Sequence, residues 1–225
     1  MTPTPEATAA DDRLPHSLLV AISRHGGTRS FAANTVLIHE GDAGDALYII
    51  LSGRVKAYSA GTQGREIVLD ELGPGHFVGE LAMDGEPRSI SIKTLEPTTC
   101  CVVQREGFDA FLVEHPEFAG HLTRKLIRMV RRLTEQVKSL ALQDVYGRVA
   151  RVLMELSDPP AHAANGQTEP RVVRQKLTQQ DIADRVGSSR EMVHRVMKEL
   201  AIGGYVTPDE NTKHLVIRKK LPHAW

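Results

Sequence analysis

The chain lacks several features that would place it quickly. No apolar run approaches the roughly 20 residues needed to cross a bilayer as a helix. The opening MTPTPEATAADDR has neither the basic start nor the apolar core of an export signal, so a cytoplasmic protein with no membrane partner is expected. Cysteine is nearly absent: Cys100 and Cys101 are the only two, and they are adjacent. Neighbours in sequence cannot form an ordinary bridge with each other and offer no metal-ligand spacing, so a disulfide scaffold is excluded and a reducing compartment fits. The ten histidines are scattered without metal spacing, and no metal site is expected. No Ser/His/Asp order, pair of catalytic carboxylates or kinase-type motif occurs, which argues against an enzyme. Net charge is also missing, since Lys+Arg and Asp+Glu both number 28. That balance hides a segregation: residues 1–116 hold 9 basic and 16 acidic side chains, net −7, and residues 117–225 hold 19 and 12, net +7. A basic C-terminal half suits a polyanionic partner.

The basic half contains LTQQDIADRVGSSREMVHRVMKEL, Leu177 to Leu200, which reads as two short helices around a tight turn. Thr178 is a good N-cap with Asp181 three residues on, Ile182, Ala183 and Val186 form an apolar stripe, and Gly187 sits where a helix ends left-handed. Ser188 is the expected cap of the second helix, with Glu191 at the capping-box position and Met192, Val193, Val196, Met197 and Leu200 on one face. The opposite face carries Arg190, Glu191, His194, Arg195 and Lys198, within an arc of roughly 140° at about 100° per residue. A rod of that kind fits the DNA major groove: an arginine fork can bond guanine O6 and N7, a carboxylate can accept from cytosine N4, and flanking Ser and Lys can hold phosphates. The stretch reads as a helix-turn-helix.

From Thr28 to Gln104 the texture is one of short, alternating, β-branched runs punctuated by glycine, as expected of an antiparallel β-roll or barrel. HFVGELAMDGEPRSIS, His76 to Ser91, interrupts it. Gly79 allows close backbone approach, the turn from Glu80 to Met83 offers amides, and Arg88 with Ser89 adds a cation and a hydroxyl, a set suited to a phosphate. Beside a phosphate, Glu80 makes sense only if it bonds a neutral group such as a sugar hydroxyl, so the implied ligand is a nucleotide with its ribose.

Residues 1–14 read as a disordered tail on composition, and residues 15–116 as the roll domain, opening on a short amphipathic helix within Pro15–His25. A helical pattern from Glu117 to Leu142 carries Leu122, Leu126, Met129, Leu133, Val137 and Leu140 at spacings of three and four, a coiled-coil seam expected to close on a second copy. Its other faces, Arg124, Lys125, Arg128, Arg131, Arg132 and Lys138, are basic. Residues 117–143 are thus a dimerisation helix ending in a hinge near Gln143. Residues 144–225 hold a helix from Asp144 to Asp158, a loop from Pro159 to Pro170, the helix-turn-helix and a terminal β-hairpin, or wing, over Gly204–Lys219.

In this order the chain resembles the CRP/FNR family of bacterial transcription regulators over about residues 15–220, through EGD at Glu40, LSGRV at Leu51, FVGELA at Phe77, PRS at Pro87, RRL at Arg131, DVYGR at Asp144 and the stretch at Leu177. The resemblance implies an α+β chain: an N-terminal antiparallel β-roll of the cyclic-nucleotide-binding type, a long dimerisation helix and a C-terminal winged helix-turn-helix. By match to the cAMP-responsive branch, Gly79 and Glu80, with Leu81 beside them, would meet the ribose, and Arg88 and Ser89 the cyclic phosphate. Leu133 and Thr134 fall where that branch has two polar adenine contacts. Arg190, Glu191 and Arg195 would read bases, with Gln180 and His194 beside them, and Thr178, Ser189 and Lys198 would hold phosphates. The implied protein is a homodimeric transcription activator whose partners are a palindromic double-stranded DNA operator, a second copy of itself and RNA polymerase. Its effector would be cAMP. The alternatives are cyclic di-GMP, whose extra phosphate could meet Arg131 or Arg132, or no small ligand, and a nucleotide-regulated enzyme subunit is more distant. The segment between Glu80 and Arg88 is slightly shorter than in the cAMP receptor, and the N-terminal cysteine cluster of the oxygen-sensing branch is absent, which excludes its iron–sulfur sensor.

Overall fold

The computed structural model describes residues 12–61, 65–158, 170–209 and 212–221, which form two compact units divided at Arg132/Leu133. In the first unit, α1 (His16–Ser23) precedes eight strands: β1 (Gly27–Phe31), β2 (Val36–Ile38), β3 (Leu47–Ser52), β4 (Val55–Ala60), β5 (Glu66–Leu72), β6 (Phe77–Val78), β7 (Ser91–Thr94) and β8 (Thr98–Val103). A short 3-10 turn, Glu80–Asp84, separates β6 from β7, and α2 (Arg105–Glu114) and α3 (Glu117–Leu142) follow. The strands pair antiparallel into two four-stranded sheets, ordered β1-β8-β3-β6 and β2-β7-β4-β5. This is the expected roll.

Strands β3 and β8 are buried on both faces. Ile49 lies opposite Cys101 and Ile50 opposite Cys100. Because successive side chains point to opposite faces, Ile49 and Cys101 join a core with Phe77 and Phe118, while Ile50 and Cys100 join another with Val55 and Ile92. Adjacent cysteines thus serve two cores, and both are free thiols. Four of the five phenylalanines, Phe77, Phe108, Phe111 and Phe118, are fully or nearly fully buried together. Phe118 meets the other three at centroid distances of 5.2–5.6 Å, which seats α2 and the start of α3 on the sheet.

Two expectations need correction here. Residues 1–11 lie outside the described part, but the end of the supposed tail is packed: the Asp12 carboxylate takes Arg128 and Arg132, and the Leu14 N–H donates to the Gly75 carbonyl at 2.9 Å. A composition reading misses this because the partners come from α3. The seam on α3 is also divided. Leu122 packs against the phenylalanine core, and Leu126 and Met129 are half-buried. The exposed apolar positions include Ile127 (50%), Val130 (62%), Leu133 (40%), Val137 (64%), Leu140 (45%) and Leu142 (81%). The first half of the predicted stripe is covered, while Leu133, Val137 and Leu140 stay exposed beside Ile127 and Val130.

The second unit begins within α3 and holds α4 (Val145–Glu155), β9 (Arg171–Val172), α5 (Gln179–Val186), α6 (Arg190–Ile202), β10 (Val206–Pro208) and β11 (Leu215–Ile217). Asp144 caps α4 by accepting from the Gly147 N–H at 2.7 Å. Val149, Val152 and Leu153 from α4 share one core with Ile182, Ala183 and Val186 from α5, Val193, Val196 and Leu200 from α6, and Val206 and Ile217 from the wing. The wing has three strands rather than two, in the order β10-β11-β9. Two residues of β9 are too short to show a period, so their pairing was not visible. The expected loop lies largely outside the described residues, at 159–169, as does the C-terminal tail at 222–225. Among the described residues no helix is long and apolar enough to cross a membrane.

Candidate functional site

In the roll, Gly79, Glu80 and Arg88 converge. Gly79 follows β6 at φ +95°, and a Cβ there would stand 2.8 Å from the Ala46 carbonyl oxygen and 2.9 Å from Arg88 Nη1, so both backbone conformation and space require glycine. The residue is the floor on which the guanidinium lies. Arg88 Nη1 donates to the Gly79 carbonyl and Nη2 to the Ala46 carbonyl, each at 2.9 Å. Its backbone is strapped in place, with the Gly41 N–H donating to the Arg88 carbonyl and the Arg88 N–H to the Asp42 carbonyl. Arg88 is only 7% exposed, and among the described residues no carboxylate pairs with it. Burying an ion costs several kcal/mol even after relaxation, and neutral carbonyls offset this only in part. Ser89 is exposed beside Arg88, and Leu81 is 38% exposed.

Glu80 makes a contact that sequence reasoning missed. Its Oε1 lies 2.7 Å from Lys125 Nζ, with both side chains 4% exposed. The ammonium also donates to the Phe77 carbonyl and stands 4.0 Å over the Phe77 ring centroid. Lys125 was expected on a basic outer face of the helix; it is buried instead, and nothing local in the sequence signals it. The pair offsets the Glu80 charge within the fold. Arg88, Lys125 and Glu80 together leave one positive charge. Arg132, a candidate for a second phosphate, is held by Asp12 at 3.1 Å and Asp70 at 2.9 Å. Burial raises the Asp70 pKa, with the Arg132 guanidinium opposing the shift. Arg131, Leu133 and Thr134 are exposed on α3, the latter two beyond the first unit.

In the second unit the Thr178 hydroxyl accepts from the Asp181 N–H while the Asp181 carboxylate accepts from the Thr178 N–H, a complete capping box, and Gly187 closes α5 at φ +62°. The start of α6 is one residue later than expected. Ser189, not Ser188, is the N-cap and accepts from the Met192 N–H at 3.2 Å. Ser188 is used to finish α5, its N–H donating to the Ala183 carbonyl. Glu191 therefore sits in the first turn, where its own backbone N–H and the Ser189 hydroxyl hold its carboxyl below its usual pKa. Arg190, Glu191, His194, Arg195 and Lys198 are all exposed, while Val193, Val196 and Leu200 are buried beneath them. His194 Nδ1 lies 3.2 Å from the Gln179 side chain, and Gln180 donates to Asp184. Among the described residues no carboxylate pairs with Arg195 or Lys198.

Comparison with known proteins agrees. Residues 28–115 match the family model of the cyclic nucleotide-binding domain, and residues 147–220 that of the Crp-like helix-turn-helix domain. The chain is 32% identical over 191 residues to the CRP-like cAMP-activated global transcriptional regulator of Mycobacterium tuberculosis, covering 84% of each protein. It is 34% identical over 180 residues to the cAMP-activated global transcriptional regulator CRP of Haemophilus influenzae, covering 78% of each. Among solved structures it superposes on the c-di-GMP responsive global regulator CLP of Xanthomonas campestris with a TM-score of 0.77 at 25% identity, covering 91% of this chain and 100% of that one. A cyclic nucleotide-binding roll joined to a winged helix-turn-helix defines a transcription regulator that binds DNA. The chain belongs to the CRP/FNR family.

Proposed function

We propose that the protein is a homodimer whose affinity for a palindromic operator is controlled by a cyclic nucleotide in the roll, with cAMP the favoured effector. The observation that carries this is Arg88, a buried guanidinium without a carboxylate partner among the described residues, beside a glycine that admits close approach. A cyclic phosphodiester would balance that guanidinium, Arg88 and Ser89 hold it, and Gly79, Glu80 and Leu81 face its ribose. One net positive charge at the site matches the single charge of a cyclic mononucleotide, and relatives named as cAMP-activated support the choice. Leu133 and Thr134 are carried as base-side candidates on the family resemblance alone. Cyclic di-GMP is the second reading, favoured by the similar structure named for that ligand. Against it stands Arg132, already held by two carboxylates.

The exposed apolar row from Ile127 to Leu140 supports pairing with a second copy. Two copies related by a two-fold axis would present their α6 helices to half-sites about 34 Å apart. Arg190, Glu191 and Arg195 read bases, aided by His194 and Gln180, while Ser189, Lys198 and Thr178 face phosphates, Thr178 in competition with its cap. Activation would run through contact with RNA polymerase. Calorimetric titration with cAMP, cGMP and cyclic di-GMP, paired with operator binding by fluorescence anisotropy, tests the proposal. We expect cAMP to bind and to change operator affinity; binding of none of the three leaves the sensor reading without support.

A further inference from the structure

The Lys125–Glu80 pair lies at the residue assigned above to the ribose. An ammonium from α3 lies 2.7 Å from Glu80 Oε1 inside the fold. Three constraints fix that ammonium: the carboxylate, the Phe77 carbonyl and the Phe77 ring beneath it. Since Phe77 ends two residues short of Gly79, the lysine holds the same strand end that delivers the pocket backbone. Lys125 thereby sets both the direction of the Glu80 carboxylate and its charge balance.

We propose that Lys125 is the positioning residue for ribose recognition: by neutralising Glu80 and fixing Oε1, it turns the carboxylate into an acceptor for a nucleotide 2′-hydroxyl next to a bound phosphate. This rests on the cyclic-nucleotide reading of the roll. Without Lys125 the carboxylate would be an unbalanced negative charge in a buried site that must also admit an anion, and repulsion would set its orientation against the ligand. With it, the hydroxyl meets a charged acceptor already in place. Hydrogen bonds to charged acceptors are worth about tenfold or more in affinity. Repulsion of the phosphate weakens both forms of the ligand alike, so the cost of a misdirected acceptor is read in the ratio of ribose to deoxy affinity.

The test compares cAMP with 2′-deoxy-cAMP on the full chain by calorimetry, in wild type, Lys125→Met, Glu80→Gln and the double variant. Wild type should favour the ribose form about tenfold or more, Lys125→Met should lose most of that preference while still binding the deoxy form, and Lys125→Met should change nothing further in the Glu80→Gln background. Full preference retained in Lys125→Met overturns the inference and leaves the nucleotide reading standing. Equal binding of both ligands by wild type overturns it by removing the Glu80–ribose contact, and binding of neither overturns the cAMP reading along with it. Should Lys125→Met not fold, the double variant, which leaves neither charge unpaired, is compared with Glu80→Gln. Equal preference in those two supports a role acting through Glu80, and a further drop in the double variant overturns it.

Discussion

Replacing Arg88 by methionine separates its ligand role from its structural one, because the two predict opposite patterns. In the fold the guanidinium is 7% exposed and bonded to the Gly79 and Ala46 carbonyl oxygens. Removing it leaves two buried acceptors unmet, at about 1–3 kcal/mol each. The same change removes a buried ion that no carboxylate among the described residues pairs, returning several kcal/mol of desolvation. Methionine keeps the apolar stem and roughly fills the space. The two effects nearly cancel, so the free protein should change by less than about 2 kcal/mol, a Tm shift of under roughly 8 °C. The ligand has no such compensation. A phosphodiester in a closed site without its cation loses about 3–5 kcal/mol, or at least roughly 100-fold in Kd. Scanning calorimetry and titration with cAMP on the same preparation read both quantities. A Tm lowered by tens of degrees with cAMP affinity intact would show that Arg88 is a strut, and the reasoning would fail.

The exposed row on α3 makes a sharper dimer test than Leu126, which is half-buried. Val130→Asp with Val137→Asp should sediment as a monomer with little operator affinity, and a persistent dimer would place the interface elsewhere. On DNA, Arg195→Ala should cost about 1–3 kcal/mol at the operator and relax choice at one base pair, whereas Lys198→Ala should weaken all sequences alike and lower the salt slope by about 1. Equal losses for Arg195→Ala on operator and random DNA would contradict base reading. The Cys100 thiol, pushed up from 9.0 to about 11 by burial, favours its protonated form in the fold. Its contribution to stability should be complete below about pH 9 and be lost as pH rises toward about 11. Native protein should therefore resist thiol alkylation at pH 8, and rapid labelling of Cys100 would refute the burial argument.

Much of this molecule was legible before its structure, for a local reason. Helix caps and glycine turns act across three or four residues, so Thr178, Asp181 and Gly187 marked α5 correctly, and Glu117 to Leu142 matched α3 end to end. The α6 cap was misplaced by one residue because two serines adjoin, and only the hydrogen bond from Met192 to Ser189 distinguishes them. The paired exposures of Arg190, Glu191, His194, Arg195 and Lys198 followed from period alone, since a helix that buries Val193, Val196 and Leu200 must present the rest.

The chain's own order of residues determined the roll, the long helix, the helix-turn-helix and the presence of Gly79, Glu80 and Arg88 in one interruption between strands, because strand alternation, helical period and turn chemistry are short-range properties. Tertiary structure decided the rest. Lys125 meets Phe77 across 48 residues and Arg128 meets Asp12 across 116, distances over which no periodicity constrains a partner. The same holds for which stripe of α3 the roll covers and for the opposite cores served by Cys100 and Cys101. Burial and ion pairing depend on what lies across space, and charge alone would have left Lys125 on the outside.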